Sequence, residues 1–268
     1  MGLSIDELID IAQRTRRNVL ERLKFKNAGE IVGRGAGGDF TRRIDRVAEE
    51  VIVNELKRRG VQVTFLSEEL GIMDINGGGD LFVVDPIDGT TNAIRGVPVF
   101  SLSIAISSGK TLNDVYMALV LNFVTGDVFY AEKGKGSYLN GLRLKPSNVK
   151  SIDEALIELD LNIRGKFLGY LKRITPIISK ARHIRFLGSD ALAICLVASG
   201  ASDAFIDLRG ILRITDISAG FLIAHEAGAI IYLGKKTPSD IVLSATSRTP
   251  IIVASTKELF NEIMSIIS

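Results

Sequence analysis

An uninterrupted apolar run, Leu81 to Val84, ends abruptly at Asp85, and a second aspartate follows at Asp88. A short apolar run bounded by turn residues predicts a buried strand. The proline between the two aspartates stiffens the turn, so the strand end holds both carboxylates at one point. Two ionised carboxylates this close repel each other unless a cation lies between them. The stretch is therefore either a cation site or a turn whose carboxylates accept hydrogen bonds from local backbone N–H groups.

Strand and helix patterns alternate through both halves of the 268 residues, which predicts a layered α/β fold. No shift in composition marks a linker. A boundary near residues 145–150 would divide the chain into an N-terminal α/β lobe of residues 1–146 and a C-terminal α/β lobe of residues 147–268.

Local signals predict several element boundaries. Ser4 and Glu7 have the spacing of a capping box at the start of an amphipathic helix. The five glycines of residues 26–40 predict a mobile loop. A helix that begins near Gly169 is expected to end where Pro176 interferes with it.

The composition is that of an ordinary globular protein. A formal net charge of +2 implies no strong field for nucleic acid or for a membrane surface. The N-terminal stretch has acidic residues within its apolar pattern, so neither a signal peptide nor a membrane span is expected there. The single cysteine, Cys195, allows no internal disulfide. We therefore expect a soluble cytoplasmic protein, and the absence of tryptophan with plentiful isoleucine and arginine is typical of a thermophile.

The strand end also carries the groups needed to handle a phosphate. Carboxylate oxygens are hard ligands that suit magnesium or manganese. Gly89 and Thr90 follow where the chain turns into a helical segment, and backbone N–H groups at such a point bind anions. Cation-binding acids beside anion-binding amides predict a site for a phosphate.

Five segments resemble elements of the inositol monophosphatase family and occur in the family's order. DPIDGTTN (85–92) resembles the family signature, and FLSEELG (65–71) resembles its upstream Glu-Glu element. GGDFTRRIDRVAEEVI (37–52) resembles its N-terminal helix, and RFLGSDALAICLVASGASDAFID (185–207) and ITDISAGFLIAHEAGA (214–229) resemble its later motifs. The resemblance implies an α-β-α-β-α layered fold, a homodimer and a lithium-sensitive, magnesium-dependent phosphatase.

The resemblance also implies a set of magnesium ligands, with manganese as an alternative ion. Glu68, Asp85 and the backbone carbonyl of Ile87 would hold one ion. Asp85, Asp88 and Asp216 would hold a second, so that Asp85 bridges the two, and a third, weaker ion would use Glu68. Without the resemblance, Asp216 is equally a plain N-cap of the helix predicted to begin there.

A water-activating pair of Thr90 and Asp45 is a further implication of the resemblance. A threonine hydroxyl is a poor base alone, and a buried carboxylate behind it can orient it by accepting a hydrogen bond. Glu69 is expected to position a metal-bound water or a ligand. The alternatives are that Asp45 is an exposed helix partner for Arg42 or Arg46 and that Glu69 is a surface acid.

The backbone amides of Gly89 and Thr90 are expected to bind the phosphate oxygens. Further substrate contacts are expected from the second half of the chain, at Gly188, Ser189, Asp190, Asp207, Arg209 and Arg213. Thr215 replaces the family's usual tryptophan and Ser218 an alanine, and neither is expected to supply chemistry.

Two departures from the animal enzymes concern specificity. Asp190 stands where a small residue is usual, so this carboxylate would contact sugar hydroxyls or only cap a helix. The segment LRGILRITD (208–216) is longer than in the animal enzymes and resembles archaeal members that act on both inositol phosphate and fructose 1,6-bisphosphate. Arg209 or Arg213 would receive a second phosphate bidentately, or would lie at the surface or in a dimer contact.

We therefore expect a magnesium-dependent phosphomonoesterase that hydrolyses a small phosphorylated polyol or sugar by attack of a metal-activated water. The expected substrates are myo-inositol 1-phosphate and fructose 1,6-bisphosphate. No phosphoenzyme is expected, because no suitably placed serine or cysteine adjoins the acids. The alternatives are a phosphatase acting on 3′-phosphoadenosine 5′-phosphate and a non-catalytic regulatory partner protein. No nucleic-acid or membrane partner is expected.

Overall fold

The computed structural model describes residues 2–36, 38, 40–162 and 168–267. Within them the helices are α1 (Ile5–Leu23), α2 (Arg43–Arg58), α3 (Thr90–Arg95), α4 (Leu168–Lys180), α5 (Asp190–Ser199), α6 (Ile214–Ala227) and α7 (Lys257–Ile267). The strands in the same residues are β1 (Ile31–Arg34), β2 (Phe40–Arg42), β3 (Val63–Ser67), β4 (Gly71–Ile75), β5 (Asp80–Asp88), β6 (Ser101–Ser107), β7 (Val115–Asn122), β8 (Val128–Glu132), β9 (Gly136–Leu139), β10 (Leu142–Arg143), β11 (Leu156–Leu159), β12 (His183–Arg185), β13 (Ala204–Arg213), β14 (Ile230–Tyr232) and β15 (Arg248–Ala254).

Two large sheets organise these elements. The first has eight strands in the order β10-β9-β8-β7-β6-β5-β3-β4, all antiparallel except the parallel pair β3 and β5. The second has five strands in the order β12-β11-β13-β15-β14, with β11 parallel to both of its neighbours. Ser67 of β3 pairs with Val84 of β5. Glu68 and Asp85 each come one residue after this pair. They therefore lie side by side where β3 ends.

Three buried apolar cores show how the sheets and helices are layered. One lies between the first sheet and helices α1 and α2, with Ile52, Phe65 and Phe82 fully buried, and burying such a side chain contributes about 1.5–3 kcal/mol. The second core surrounds α5 and α6, which pack between the two sheets. The third joins α4 and α7 to the other face of the second sheet. The order is helices, sheet, helices, sheet, helices, which confirms the predicted α-β-α-β-α arrangement.

The predicted start of the first helix is confirmed. The Ser4 hydroxyl accepts a hydrogen bond from the Glu7 backbone N–H at 3.3 Å, and the Glu7 carboxylate accepts one from the Ser4 backbone N–H at 2.9 Å. This reciprocal capping box satisfies two N–H groups that have no partner inside the helix. The helix then buries Leu8, Ile11 and Val19 against the first core.

The prediction that Pro176 ends its helix was wrong. Helix α4 continues for one turn beyond it, to Lys180. Pro176 lies on the exposed face, while Ile174 and Ile177 on the other face are fully buried. The carbonyl that loses its intrahelical partner belongs to Lys172, which is also exposed. Packing of the apolar face therefore outweighs the cost of the proline.

The prediction of a loop at residues 26–40 was also incomplete. Strands β1 and β2 form a hairpin at the end of this segment, and Gly37 and Asp39 lie outside the described residues. The backbone N–H of Ala36 donates to the carbonyl of Glu69 at 3.1 Å. The hairpin therefore lies against the Glu68–Glu69 turn.

The chain passes from the first sheet to the second between Arg143 and Leu156. The core around α5 and α6 contains side chains of both sheets, and the division into lobes at residues 146 and 147 stays a prediction. Among the described residues, no helix has the length and apolar character that crossing a membrane requires.

Candidate active site

An irregularity in β5 brings two aspartates to one site. Asp85 pairs with Ser103 of β6 and Asp88 pairs with Ser101, so three steps along β5 match two along β6. This extra residue is a β-bulge, which changes the direction of the side chains around it, and the proline within it has no N–H to lose from the ladder. Both aspartates are buried, and this burial, followed by the charge of Asp216, raises the pKa of each.

Three carboxylates converge beside this bulge. Glu68, Asp85 and Asp216 each offer one oxygen, and these oxygens lie within 4.8 Å of one another. Burial raises the pKa of Asp85 well above its ordinary value, and repulsion from Asp216, Asp88 and Glu68 raises it further. Burial and the charge of Asp216 raise the pKa of Glu68 to about 9. A divalent cation relieves such repulsion, and an all-oxygen donor set suits a hard ion. The cluster can therefore hold a metal ion.

Asp216 lies in the first turn of α6 but is not its N-cap, so that prediction was wrong. Strand β13 passes directly into α6, which begins at Ile214 with Arg213 as the N-cap residue. A carboxylate in the first helical turn is still favoured by the helix dipole. The Thr215 hydroxyl lies 3.0 Å from Oδ1 of Asp216 and donates to it. Thr215, to which the sequence analysis gave no role, therefore orients this carboxylate.

Arginine side chains border the same carboxylates. Nη1 of Arg213 lies 2.6 Å from Oε2 of Glu68. Arg248 pairs with Arg213 across β13 and β15. Burial raises the pKa of both Glu68 and Asp216, and the charge of Arg248 opposes part of this rise. No role of Arg248 is evident from the sequence, because nothing local indicates that β15 begins beside this site.

Thr90 and Asp45 lie together, as the family resemblance implies. Oγ1 of Thr90 is 3.0 Å from Oδ1 of Asp45 and 2.9 Å from the carbonyl oxygen of Ile87. The other carboxylate oxygen of Asp45 accepts a hydrogen bond from the Arg42 backbone N–H at 3.1 Å. Burial raises the pKa of Asp45 to about 7, and the charge of Glu69 adds to this. Asp45 is only 3% exposed, so the alternative of an exposed ion-pair partner is wrong.

Glu69 is half-buried under the hairpin of β1 and β2. Its carboxylate accepts a hydrogen bond from the hydroxyl of Thr41, which is itself buried. Burial raises the pKa of Glu69 above its ordinary value. Glu69 therefore faces the site interior next to Asp45, and Thr41 is a contact that the sequence analysis did not single out.

Asp88 connects the first sheet to the start of α5. Its Oδ2 accepts hydrogen bonds from the Ser189 hydroxyl at 2.7 Å and from the Ala191 backbone N–H at 2.8 Å. Burial and the charge of Asp216 raise the pKa of Asp88 to about 7, while these hydrogen bonds lower it. Ser189 is the N-cap residue, as predicted, but its own side chain makes no capping bond. The carboxylate that caps α5 is that of Asp88.

Asn92 holds together two turns that were predicted to face the substrate. Its Nδ2 donates to the carbonyl oxygens of Val99 at 2.7 Å and Leu187 at 2.8 Å. Gly89 has a φ of 92°, and a Cβ at this position would lie 2.9 Å from the carbonyl oxygen of Gly188. Asn92 lies within the family signature, but its role is not evident from the sequence, because its partner Leu187 is 95 residues away.

Arg209 lies in a buried ion-pair network. Its Nε donates to Oδ1 of Asp207 at 3.0 Å and its Nη2 to Oδ2 at 2.6 Å, and Nη2 also contacts Asp160. The Arg209 side chain is 4% exposed. Half-buried Asp190 lies near this network, and burial followed by the charge of Asp88 raises its pKa well above the ordinary value. Asp160, whose sequence surroundings gave no sign of this contact, is therefore part of the network.

Comparison with known proteins agrees with this geometry. The model of the inositol monophosphatase family matches residues 4–267. The fructose-1,6-bisphosphatase/inositol-1-monophosphatase of Methanothermobacter thermautotrophicus is 39% identical over 268 residues, which cover 96% of this chain and 93% of the relative. The protein of the same name from Thermococcus kodakarensis is 35% identical over 256 residues, which cover 96% and 94%. A crystal structure of an inositol monophosphatase-fructose 1,6 bisphosphatase matches with a TM-score of 0.84 at 30% identity, covering 98% of this chain and 100% of that one. The chain therefore belongs to the inositol monophosphatase family and is a phosphatase, an enzyme that hydrolyses phosphoric monoesters.

Proposed function

We propose that this phosphatase depends on magnesium and hydrolyses the phosphate ester of a small polyol or sugar. The observation that carries the proposal is the convergence of Glu68, Asp85 and Asp216 within 4.8 Å of one another, beside the hydrogen-bonded pair of Thr90 and Asp45. A cation site next to an oriented hydroxyl suits attack of water on a phosphate. The names of the two archaeal relatives support myo-inositol 1-phosphate and fructose 1,6-bisphosphate as the first substrates to test.

The residues present fit two magnesium ions, or manganese ions in their place. Glu68, Asp85 and the carbonyl oxygen of Ile87 would hold the first. Asp85, Asp88 and Asp216 would hold the second, and a third, weaker ion would use Glu68. All the donors are oxygens, as magnesium prefers. Burial raises the pKa of each of the four carboxyl groups, so a bound cation offsets a cost that the fold otherwise carries.

Bound ions would polarise a water and stabilise the leaving oxygen. The hydroxyl of Thr90, which donates to Asp45, would orient the attacking water towards the phosphorus. Glu69, whose carboxylate accepts a hydrogen bond from Thr41, would accept a further hydrogen bond from a water in the site. The backbone N–H groups of Gly89 and Thr90, which have no partner inside α3 because they lie at its start, hold the phosphate oxygens.

The remaining predicted residues form the wall that the sugar or polyol contacts. Gly188 and Asp190 face the substrate hydroxyls, while buried Ser189 holds Asp88 in place. Asp207 is fully buried and accepts hydrogen bonds from Arg209. This ion pair determines the shape of the wall that the substrate contacts. Arg213 is the better candidate for a second phosphate, because its side chain is 20% exposed against 4% for Arg209.

The test is phosphate release from inositol 1-phosphate and from fructose 1,6-bisphosphate, side by side, with magnesium and with a chelator. Magnesium-dependent turnover of both supports a dual phosphatase, and turnover of the first alone supports an inositol monophosphatase. Activity that survives exhaustive chelation overturns the metal assignment.

The same assay separates the alternatives. Turnover of 3′-phosphoadenosine 5′-phosphate in preference to both sugars favours the nucleotide phosphatase. A folded, metal-loaded protein that hydrolyses none of the three favours a regulatory partner protein. The second outcome would contradict the role proposed for the Thr90–Asp45 pair.

The predictions of a homodimer and of a cytoplasmic location also stay proposals. An apolar groove of about 540 Å³ lies between the end of α1 and helix α3. Phe25, Ile94, Val97 and Val124 border it with more than a third of each residue exposed. A second copy that covered this groove would remove the apolar surface from water. Sedimentation that gives the mass of a monomer would contradict the dimer.

A further inference from the structure

Arg213 makes a direct contact with the carboxylates of the proposed metal site. Its Nη1 lies 2.6 Å from Oε2 of Glu68, and the two side chains are only 20% and 12% exposed. The chain geometry fixes this position, because Arg213 ends β13 and is the N-cap residue of α6, three residues before Asp216. Arg213 therefore places its guanidinium beside Glu68, and Asp216 in the following helical turn adds a carboxylate to the same cluster.

Arg248 provides an internal comparison. It pairs with Arg213 across the antiparallel strands β13 and β15, and like charges directly opposite each other on neighbouring strands repel. Nη1 of Arg248 donates to the carbonyl oxygens of Ala245 at 2.8 Å and Ser247 at 2.9 Å. Backbone groups thus anchor Arg248 near the cluster, whereas Arg213 reaches a carboxylate of the cluster itself.

We propose that Arg213 is an internal counter-ion of the metal site, which pairs with Glu68 when the site holds no metal and is displaced from it when a divalent cation binds. The inference rests on the metal site of the proposed function. A guanidinium and a dication that share one carboxylate repel each other over a few ångströms in a poorly solvated site. Metal binding therefore has to break or loosen the Arg213–Glu68 pair.

The consequence is a metal affinity below that which the carboxylates alone would give. In the metal-free chain Arg213 keeps Glu68 turned towards Asp85 and Asp216, so the site is preformed.

The test is calorimetric titration of Mn²⁺ into chelator-stripped full-length protein, with the variants Arg213→Met and Arg248→Met. Each variant removes one positive charge, and the two positions are neighbours across the strands. The difference between their Mn²⁺ affinities therefore separates the effect of the direct contact with Glu68 from that of a positive charge near the site. We expect Arg213→Met to bind Mn²⁺ about tenfold tighter than the wild type and Arg248→Met to change the affinity less than about threefold. If Arg213→Met does not fold, Arg213→Gln, which removes the charge but keeps a donor, takes its place.

A double-mutant cycle with Glu68→Gln checks the mechanism. In the Glu68→Gln background, Arg213 no longer has the carboxylate of Glu68 as its counter-ion. We therefore expect Arg213→Met to change the Mn²⁺ affinity no more than Arg248→Met does. Thermal melting in chelator gives a second readout. Arg213→Met leaves Glu68 without this counter-ion, so we expect its melting temperature to lie below that of the wild type. Saturating Mn²⁺ should reduce this difference between the two melting temperatures. Equal or weaker Mn²⁺ binding by Arg213→Met overturns the inference alone. Absence of Mn²⁺ binding by the wild type overturns the proposed metal site as well.

Discussion

The hydroxyl of Thr90 lies 3.0 Å from Oδ1 of Asp45 and 2.9 Å from the carbonyl oxygen of Ile87. Thr90 begins α3 and Asp45 lies in the first turn of α2, so two helix starts meet at one hydrogen bond. The hydroxyl has one proton and can donate it to only one of these acceptors at a time. Its lone pairs remain free for a water, which makes it a positioning group whose direction the carboxylate of Asp45 controls.

Thr90→Val removes this hydroxyl while it keeps the shape of the side chain. We expect kcat for the preferred substrate to fall by about 10²-fold or more, because proton handling in the transition state contributes on that scale. Thr90→Ser restores the hydroxyl and should recover most of the activity. Steady-state kinetics on the three proteins checks this, and a Thr90→Val enzyme with unchanged kcat would exclude the pair from the reaction.

Asp45→Asn in the Thr90→Val background tests whether the two residues act as one unit. If Asp45 acts through Thr90, the second substitution lowers kcat little once the first is present, since residues of one unit are not additive. Independent, multiplying losses would assign Asp45 a role of its own.

Gly89→Ala and Gly96→Ala form a matched pair for the turn that carries the phosphate-binding amides. Both glycines have positive φ, 92° and 73°, so alanine costs roughly 1–2 kcal/mol of backbone strain at either position. A Cβ at Gly96 meets no atom within 4 Å, whereas one at Gly89 would lie 2.9 Å from the carbonyl oxygen of Gly188. We expect Gly96→Ala to lower the stability without changing the kinetics. Gly89→Ala should lower the stability and also reduce kcat/KM by about 10²-fold, because the turn must shift. Equal kinetics for the two variants would contradict the close approach.

The metal-site candidates were predictable because each lies in a short, chemically specific string. Glu68 follows β3 and Asp85 lies in the neighbouring parallel strand β5, and the structure brings Asp216 to them from more than a hundred residues away. Sequence patterns alone could not place Asp216, since the α/β alternation does not say which helix start faces which strand end. That placement came from the family resemblance.

The partners of these residues were not predictable, because hydrogen bonds across the fold leave no local pattern. Asp160, which contacts Arg209, and Arg248, which pairs with Arg213, have ordinary sequence surroundings. Ser189 shows the limit most clearly. The pattern identified it correctly as an N-cap residue, but the capping acceptor is Asp88, 101 positions earlier.

Asp85→Asn should abolish activity and stabilise the metal-free protein at the same time. The carboxylate is buried among Asp216, Asp88 and Glu68, which raise its pKa, so neutralising it removes repulsion that only a cation otherwise offsets. We expect turnover to fall by more than about 10³-fold and the melting temperature in chelator to rise. Magnesium should then stabilise the wild type but not the variant. The exposed Asp153→Asn is the control, and wild-type turnover by Asp85→Asn would refute the two-metal assignment.

Glu158 provides a prediction remote from the chemistry. It lies on β11, is 2% exposed, and its Oε2 has no hydrogen-bond partner among the described residues. Burial raises its pKa from 4.5 to about 7, although the charge of Arg185 opposes the change. Between these two values the folded chain holds more protons than the unfolded chain, so the free energy of unfolding falls as the pH rises.

Glu158→Gln removes this titration. The variant should differ little from the wild type at pH values near the unfolded pKa, and should be more stable by on the order of 3 kcal/mol at pH values above the folded one. Urea unfolding of both proteins on either side of the window gives the difference, in which the titration of all other groups cancels. The control variant is Glu154→Gln, which changes an exposed glutamate in the turn before β11. A Glu158→Gln effect that is the same at both pH values would mean that this carboxyl group does not change its protonation across the window.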